Sequence, residues 1–153
     1  MASVVTAAIA LGSNLGDRRA HLDFAASRLQ TFLGDLRVSP YYETAPVGLS
    51  GPQSLFLNAA AVGKTTLSAR LLLEVLLAIE QERGRVRPRP NVSRTLDIDL
   101  ILYGDAVINE PGLIVPHPRF RNRRFVLEPL AEIAPALVDP VTGRSIADLL
   151  ALI

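Results

Sequence analysis

The chain has 153 residues, 16 of them basic and 15 acidic, so its net charge is +1, and 49% are hydrophobic with no cysteine. That length suits one domain, 1–153, around a single core, and the lack of cysteine excludes disulfides and thiolate chemistry. No apolar run reaches the length of a membrane span, and Met1 to Leu11 lacks the basic region, apolar core and cleavage site of a secretory signal, so a cytoplasmic location is expected.

Val4 to Leu11 is a short apolar run rich in Val, Ile and Ala, which predicts a buried strand. Gly12-Ser13-Asn14-Leu15-Gly16-Asp17 follows, a cluster of turn formers and N-caps whose backbone amides could hold a ligand or simply turn the chain. A helix is predicted to about Leu33, with Leu22, Ala25, Leu29 and Phe32 on one stripe and Gly34 as its stop. Leu36 to Thr44 reads as a second strand, in which Pro40 demands an edge position or a bulge. Thr44 to Leu55 is a loop of a length that is often functional. Leu55 to Val62 is a third strand, where Phe56 and Asn58 share a face and the asparagine needs a partner.

A second helix is opened by Thr66-Leu67-Ser68 and runs to about Arg83, burying Leu72, Val75, Leu76 and Ile79 and stopping at Gly84. Glu80 and Glu82 fall in its last turn, where the helix dipole disfavours acids. An arginine-proline loop leads to a fourth strand, Arg94 to Tyr103. A hairpin through Gly104-Asp105 to Val107 and Ile108, an irregular region, a helix from Phe125 to Ala134 and a last helix from Ser145 to Leu150 complete the reading. Strand, helix, strand, strand, helix, strand is the α+β, ferredoxin-like βαββαβ order: a mostly antiparallel sheet with two helices on one face, here with a C-terminal extension.

The fourth strand carries the chemistry. Alternation puts Asp97 and Asp99 on one face and Leu96, Ile98 and Leu100 on the other. Two adjacent carboxylates repel and lose hydration, so something positive must compensate. The compensator is either a divalent cation, since Mg²⁺ is held by one or two carboxylates plus substrate phosphates, or the arginines upstream. Arg83, Arg85, Arg87, Arg89 and Arg94 crowd that approach, and arginine forks suit phosphate. From Arg83 to Arg124 there are nine arginines against four acids, in a chain with fifteen arginines and one lysine. A locally basic, globally neutral chain favours a small anionic ligand over a nucleic acid.

The blocks GSNLG, YETAPVG, FLNAA, GRVR, RTLDIDLILYG and VPHPRFRNRRFVLEPLAEIAP, in this order and spacing, resemble the 6-hydroxymethyl-7,8-dihydropterin pyrophosphokinase family over nearly the whole chain. The resemblance implies transfer of the β,γ-pyrophosphoryl group of ATP to the pterin hydroxymethyl oxygen, a step of folate biosynthesis. It makes Asp97 and Asp99 the holders of two Mg²⁺ ions, and Arg85 and Arg94 the loop arginines of catalysis. Arg87, Leu100, His117 and Arg123 fall at ATP-contacting positions. Phe56 and Phe125 match a pair that sandwiches the pterin, Asn58 a residue that bonds its edge, and Thr44, Pro46 and Val47 neighbours that reach it through backbone. The resemblance further implies a monomer. Without it, Phe56 and Phe125 would read as core and His117 as a turn element between two prolines.

The chain departs from some relatives in having no tryptophan in the arginine loop, Pro118 after the histidine, and Leu77 where a glutamine can stand. Two other functions fit parts of the pattern. A ferredoxin-like RNA-binding module would use the basic cluster, but only 5% of residues are aromatic and paired aspartates repel phosphate unless metallated. A metal-dependent nucleotide hydrolase would share the aspartates and arginines but have no use for the Phe56, Asn58 and Phe125 set.

Overall fold

The computed structural model describes residues 3–44, 55–84 and 95–153. In chain order its elements are β1 (Val5–Ser13), α1 (Arg18–Phe32), β2 (Gly34–Val38), β3 (Tyr42–Thr44), β4 (Phe56–Thr65) and α2 (Ala69–Glu82). There follow β5 (Asp97–Tyr103), β6 (Ile108–Glu110), β7 (Leu113–Val115), a 3₁₀ turn (Phe120–Asn122), α3 (Arg124–Ile133) and α4 (Ile146–Ala151). β1 lies at the centre because it is apolar on both faces. It pairs antiparallel with β4 on one side and β5 on the other. β2 and β3 both pair with β4, giving the sheet order β2-β4-β1-β5 with β3 also on β4. This is the expected ferredoxin-like order, antiparallel throughout.

Each face of the sheet is covered. Ile9 and Leu11 pack with Leu22 and Leu29 of α1 and with Leu72, Leu76 and Ile79 of α2. On the opposite face Ala8, Ala60, Val62 and Leu102 pack with Phe120, Leu127, Leu130 and Ile146. The two core helices share one face as expected, and the C-terminal extension, to which the sequence assigned no face, forms a second helical layer on the other. Side-chain caps start the helices: Asp17 accepts from the amide of Ala20, Ser68 from Leu71 and Ser145 from Asp148.

Three sequence expectations need correction. The second strand is two strands, because Pro40 has no amide to offer the ladder. Ser39 takes over at the break: its amide donates to the Ala60 carbonyl at 2.9 Å, and its Oγ accepts from the Ala60 amide at 2.9 Å. Gly34 is the first residue of β2 and no left-handed stop; α1 ends at Leu33, already extended at φ −119°, and Asp35 takes the positive φ of 49°. The hairpin joins β6 to β7 through Gly112 (φ 75°), whereas Gly104 only turns the chain away from the sheet. Gly84, at φ 93°, does stop α2 as expected.

Candidate active site

Asp97 and Asp99 project from β5 toward the α3 side, opposite Gly12 and Ala10 of β1. Ile98 and Leu100, between and after them, are buried on the α1/α2 side. The exposed edge of β5 is closed by Glu80, whose Oε2 accepts the Ile98 amide at 2.6 Å. Glu80 is 2% exposed, which explains how an acid survives at the end of α2: it serves a strand amide. Its neighbour Glu82 pairs with Arg28 at 3.0 Å.

Two cavities meet at the aspartates. The first, about 200 Å³, lies on the α3 side of the sheet, with Ala10, Gly12 and Asn58 beneath it and Phe56, Thr44, Phe125 and Arg123 around it. It exists because the strand residues under it are small. At Gly12 a Cβ would stand 3.2 Å from Asn58 Oδ1 and 3.9 Å from the Phe56 ring. Asn58 is held by donating from Nδ2 to Thr44 Oγ1 at 2.5 Å, across the β3–β4 pairing. Phe125 comes from the first turn of α3, and the Arg123 guanidinium lies 5.5 Å from its ring centroid.

The second cavity, about 330 Å³, runs along the outer edge of β5. Leu73 and Leu77 of α2, Leu100, and Leu113 and Ile114 of β7 give it an apolar end, and Asp97, Asp99 and His117 a polar one. The His117 amide donates to the Ile101 carbonyl at 3.0 Å, and its Nδ1 accepts the Arg119 amide at 3.2 Å. Burial, then the Arg123 and Arg119 charges, push its pKa below the usual histidine value, while Asp97 pulls the other way. His117 is thus neutral near pH 7, with Nε2 as its remaining polar atom.

The structure brings Thr44, Phe56, Asn58, Asp97, Asp99, Arg123 and Phe125 around one cavity and Leu100 and His117 around the other, with the aspartates common to both. Pro46, Val47, Arg85, Arg87 and Arg94 lie outside the described residues. Sequence reasoning missed Gly12 and Ala10 as the floor, and the β6–β7 hairpin as a wall. The signal for the hairpin was Pro111-Gly112 between apolar pairs; for the floor it was the run of alanines and glycine ending β1. Among the described residues no three acidic or histidine side chains gather into a closed metal cage, so the Asp pair offers the carboxylate set there.

A ferredoxin-like sheet with two clefts sharing a carboxylate pair has the layout of a two-substrate group-transfer enzyme. The family model described as 7,8-dihydro-6-hydroxymethylpterin-pyrophosphokinase (HPPK) matches residues 8–135, and the chain belongs to that family. It is 46% identical over 137 residues to the 2-amino-4-hydroxy-6-hydroxymethyldihydropteridine pyrophosphokinase of Bacillus subtilis, covering 88% of this chain and 81% of that one. The Synechocystis enzyme of the same name is 41% identical over 146 residues, covering 94% and 74%. The solved Plasmodium falciparum HPPK-DHPS superposes with a TM-score of 0.75 at 16% identity, a likeness of fold. That match covers 98% of this chain and 45% of the Plasmodium one, so this chain spans less than half its length.

Proposed function

We propose that the chain transfers the β,γ-pyrophosphoryl group of ATP to the hydroxymethyl oxygen of 6-hydroxymethyl-7,8-dihydropterin, releasing AMP and the pterin diphosphate. The observation that carries this reading is that two separate cavities meet at Asp97 and Asp99. The pterin lies in the first, over the Ala10–Gly12 floor, stacked between Phe56 and Phe125 and bonded at its edge by Asn58. ATP lies in the second, its base against the apolar end near Leu77 and Ile114 and its phosphates at the aspartates.

Family membership implies Mg²⁺, and the donor set fits it: two adjacent, partly exposed carboxylates leave most positions to water and phosphate, as Mg²⁺ prefers. Asp97 and Asp99 would hold two such ions, which neutralise triphosphate charge when bound. The chain's own residues do the rest. The cavities aim the hydroxymethyl oxygen in line with the bond from Pβ to the oxygen it shares with Pα. That bond breaks as the new O–Pβ bond forms, and an aspartate takes the hydroxyl proton. Neutral His117 donates from Nε2 to a phosphate oxygen, and Arg123 sets a fixed charge beside the transferring group. Arg85, Arg87 and Arg94 complete the phosphate contacts. The proposal takes the protein to act as a cytoplasmic monomer.

Product analysis with ATP, Mg²⁺ and the pterin tests this. AMP and pterin diphosphate should form in equal amounts, and Asp97→Asn should abolish both. ADP, or AMP made without pterin, would sink it and leave the hydrolase reading.

A further inference from the structure

The segment bearing His117 and Arg123 is clamped by the C-terminal extension. Asp139, in the turn between α3 and α4, has a side chain 0% exposed. Its Oδ2 accepts from Arg121 Nε at 2.6 Å and Thr142 Oγ1 at 2.7 Å, and its Oδ1 from Arg121 Nη2 at 3.0 Å and the Val141 amide at 3.0 Å. This is a two-pronged arginine–carboxylate pair with its remaining acceptor sites filled. The turn around it is itself fixed: the Asp139 amide donates to the Arg144 carbonyl, the Gly143 amide to the Asp139 carbonyl, and the Ile146 amide to the Leu137 carbonyl, each at 2.8 Å.

Arg121 sits in the 3₁₀ turn, its guanidinium 4.8 Å from the ring centroid of Phe120, which is fully buried. The Arg123 amide donates to the Phe120 carbonyl at 3.1 Å, so Arg123 is tied to the same turn. At the other end the Ile101 bond holds His117. A buried ion pair adds little net stability over an apolar pair of the same size, because both charges lose their hydration. What it supplies is a fixed direction.

We propose that Asp139 is a positioning residue for pyrophosphoryl transfer: through Arg121 it sets where Arg123 stands against the ATP phosphates. This rests on the reading that Arg123 contacts ATP. The four bonds accepted by the carboxylate all come from Arg121 of that segment or from its own turn.

The test measures binding of α,β-methylene-ATP with Mg²⁺ to full-length Asp139→Asn, which keeps the side-chain size but loses the charge. The dissociation constant should rise about tenfold or more, the scale of one weakened hydrogen bond to a charged group. Circular dichroism should show a folded protein at the assay temperature. In an Arg123→Ala background the same change should cost much less, because a positioning effect needs the group it positions. Should Asp139→Asn not fold, Arg121→Lys serves: it keeps a charge but not the fork, and weakens binding in the same direction. A folded Asp139→Asn or Arg121→Lys binding within about twofold of wild type, or losses that multiply in full in the Arg123→Ala background, overturns the proposal. Wild-type protein that fails to bind the analogue overturns instead the functional reading beneath it.

Discussion

Gly12→Ala separates the floor of the first cavity from the rest of the sheet. The new Cβ would meet Asn58 Oδ1 at 3.2 Å, with the Phe56 ring at 3.9 Å, and would stand where the pterin is proposed to rest. Gly12 carries no positive φ, so alanine brings no backbone strain. Overfilling a packed site costs about 1–3 kcal/mol, and here the cost falls on the ligand, which must lift off the floor. At about 1.4 kcal/mol per tenfold, the dissociation constant for pterin should rise about 5- to 150-fold. Nucleotide binding and melting temperature should stay near wild type.

The matched control is Gly63→Ala, on the opposite face of the same sheet. There the Cβ would lie 2.8 Å from Leu33 Cβ and 3.3 Å from the Gly34 carbonyl, inside the α1-side core. It should cost about 1–3 kcal/mol of stability, and about 2–4 °C of melting temperature per kcal/mol, with pterin affinity unchanged. Calorimetric titration with pterin, in the presence of α,β-methylene-ATP, reads the first effect and thermal unfolding the second. Unchanged pterin affinity in a folded Gly12→Ala would refute the placement of the acceptor.

Other outcomes follow from the polar contacts. Asp139 is fully buried, which alone would raise its pKa, yet the bonds from Arg121, Thr142 and the Val141 amide outweigh burial and bring it from 3.8 down to about 2. Its folded pKa is depressed, so its share of stability, about 2 kcal/mol, is present above pH 4 and lost as pH falls from about 4 through 2. Denaturant midpoints should show that loss in wild type and not in Asp139→Asn. Tyr42 donates to Glu132 and Tyr41 to Asp23, and both phenols are pushed up to about 12, Tyr42 chiefly by its bond and Tyr41 chiefly by burial. A raised tyrosine pKa favours the fold below pH 10 and loses that effect toward 12, so the ultraviolet titration of native protein should lag behind that of unfolded chain. The His117 imidazole should titrate below 6.5 by NMR in metal-free protein, and move upward in Arg123→Ala.

Much of this architecture was legible because the signals were local. The alternation Leu96-Asp97-Ile98-Asp99 fixes which side chains share a face wherever the strand lies, and the stripe of Leu72, Leu76 and Ile79 fixes the buried side of α2. What escaped depended on partners distant in sequence. Gly12 reads as a turn residue until β4 lays Asn58 beside it and α3 brings Phe125 over it. Gly34 resembles a helix stop until β4 draws it into the sheet. Glu80 reads as a misplaced acid until the Ile98 amide arrives as its partner. Asp139 gives no sign in the sequence of the arginine it will meet eighteen positions earlier. Five of the six family blocks nevertheless supply residues to the two cavities, from Gly12 through Thr44, Phe56, Asn58 and the Asp97–Asp99 strand to His117, Arg123 and Phe125, while Arg85 and Arg87 of the sixth lie outside the described residues.

A crystal structure of the protein with α,β-methylene-ATP, Mg²⁺ and 6-hydroxymethyl-7,8-dihydropterin tests the central claim most directly, because the methylene bridge replaces the bond that must break. The account predicts the pterin on the Ala10–Gly12 floor between Phe56 and Phe125, the triphosphate in the cleft along β5, and Asp97 and Asp99 between them with the hydroxymethyl oxygen facing Pβ. A pterin bound elsewhere, or a triphosphate that does not reach the aspartates, would contradict it.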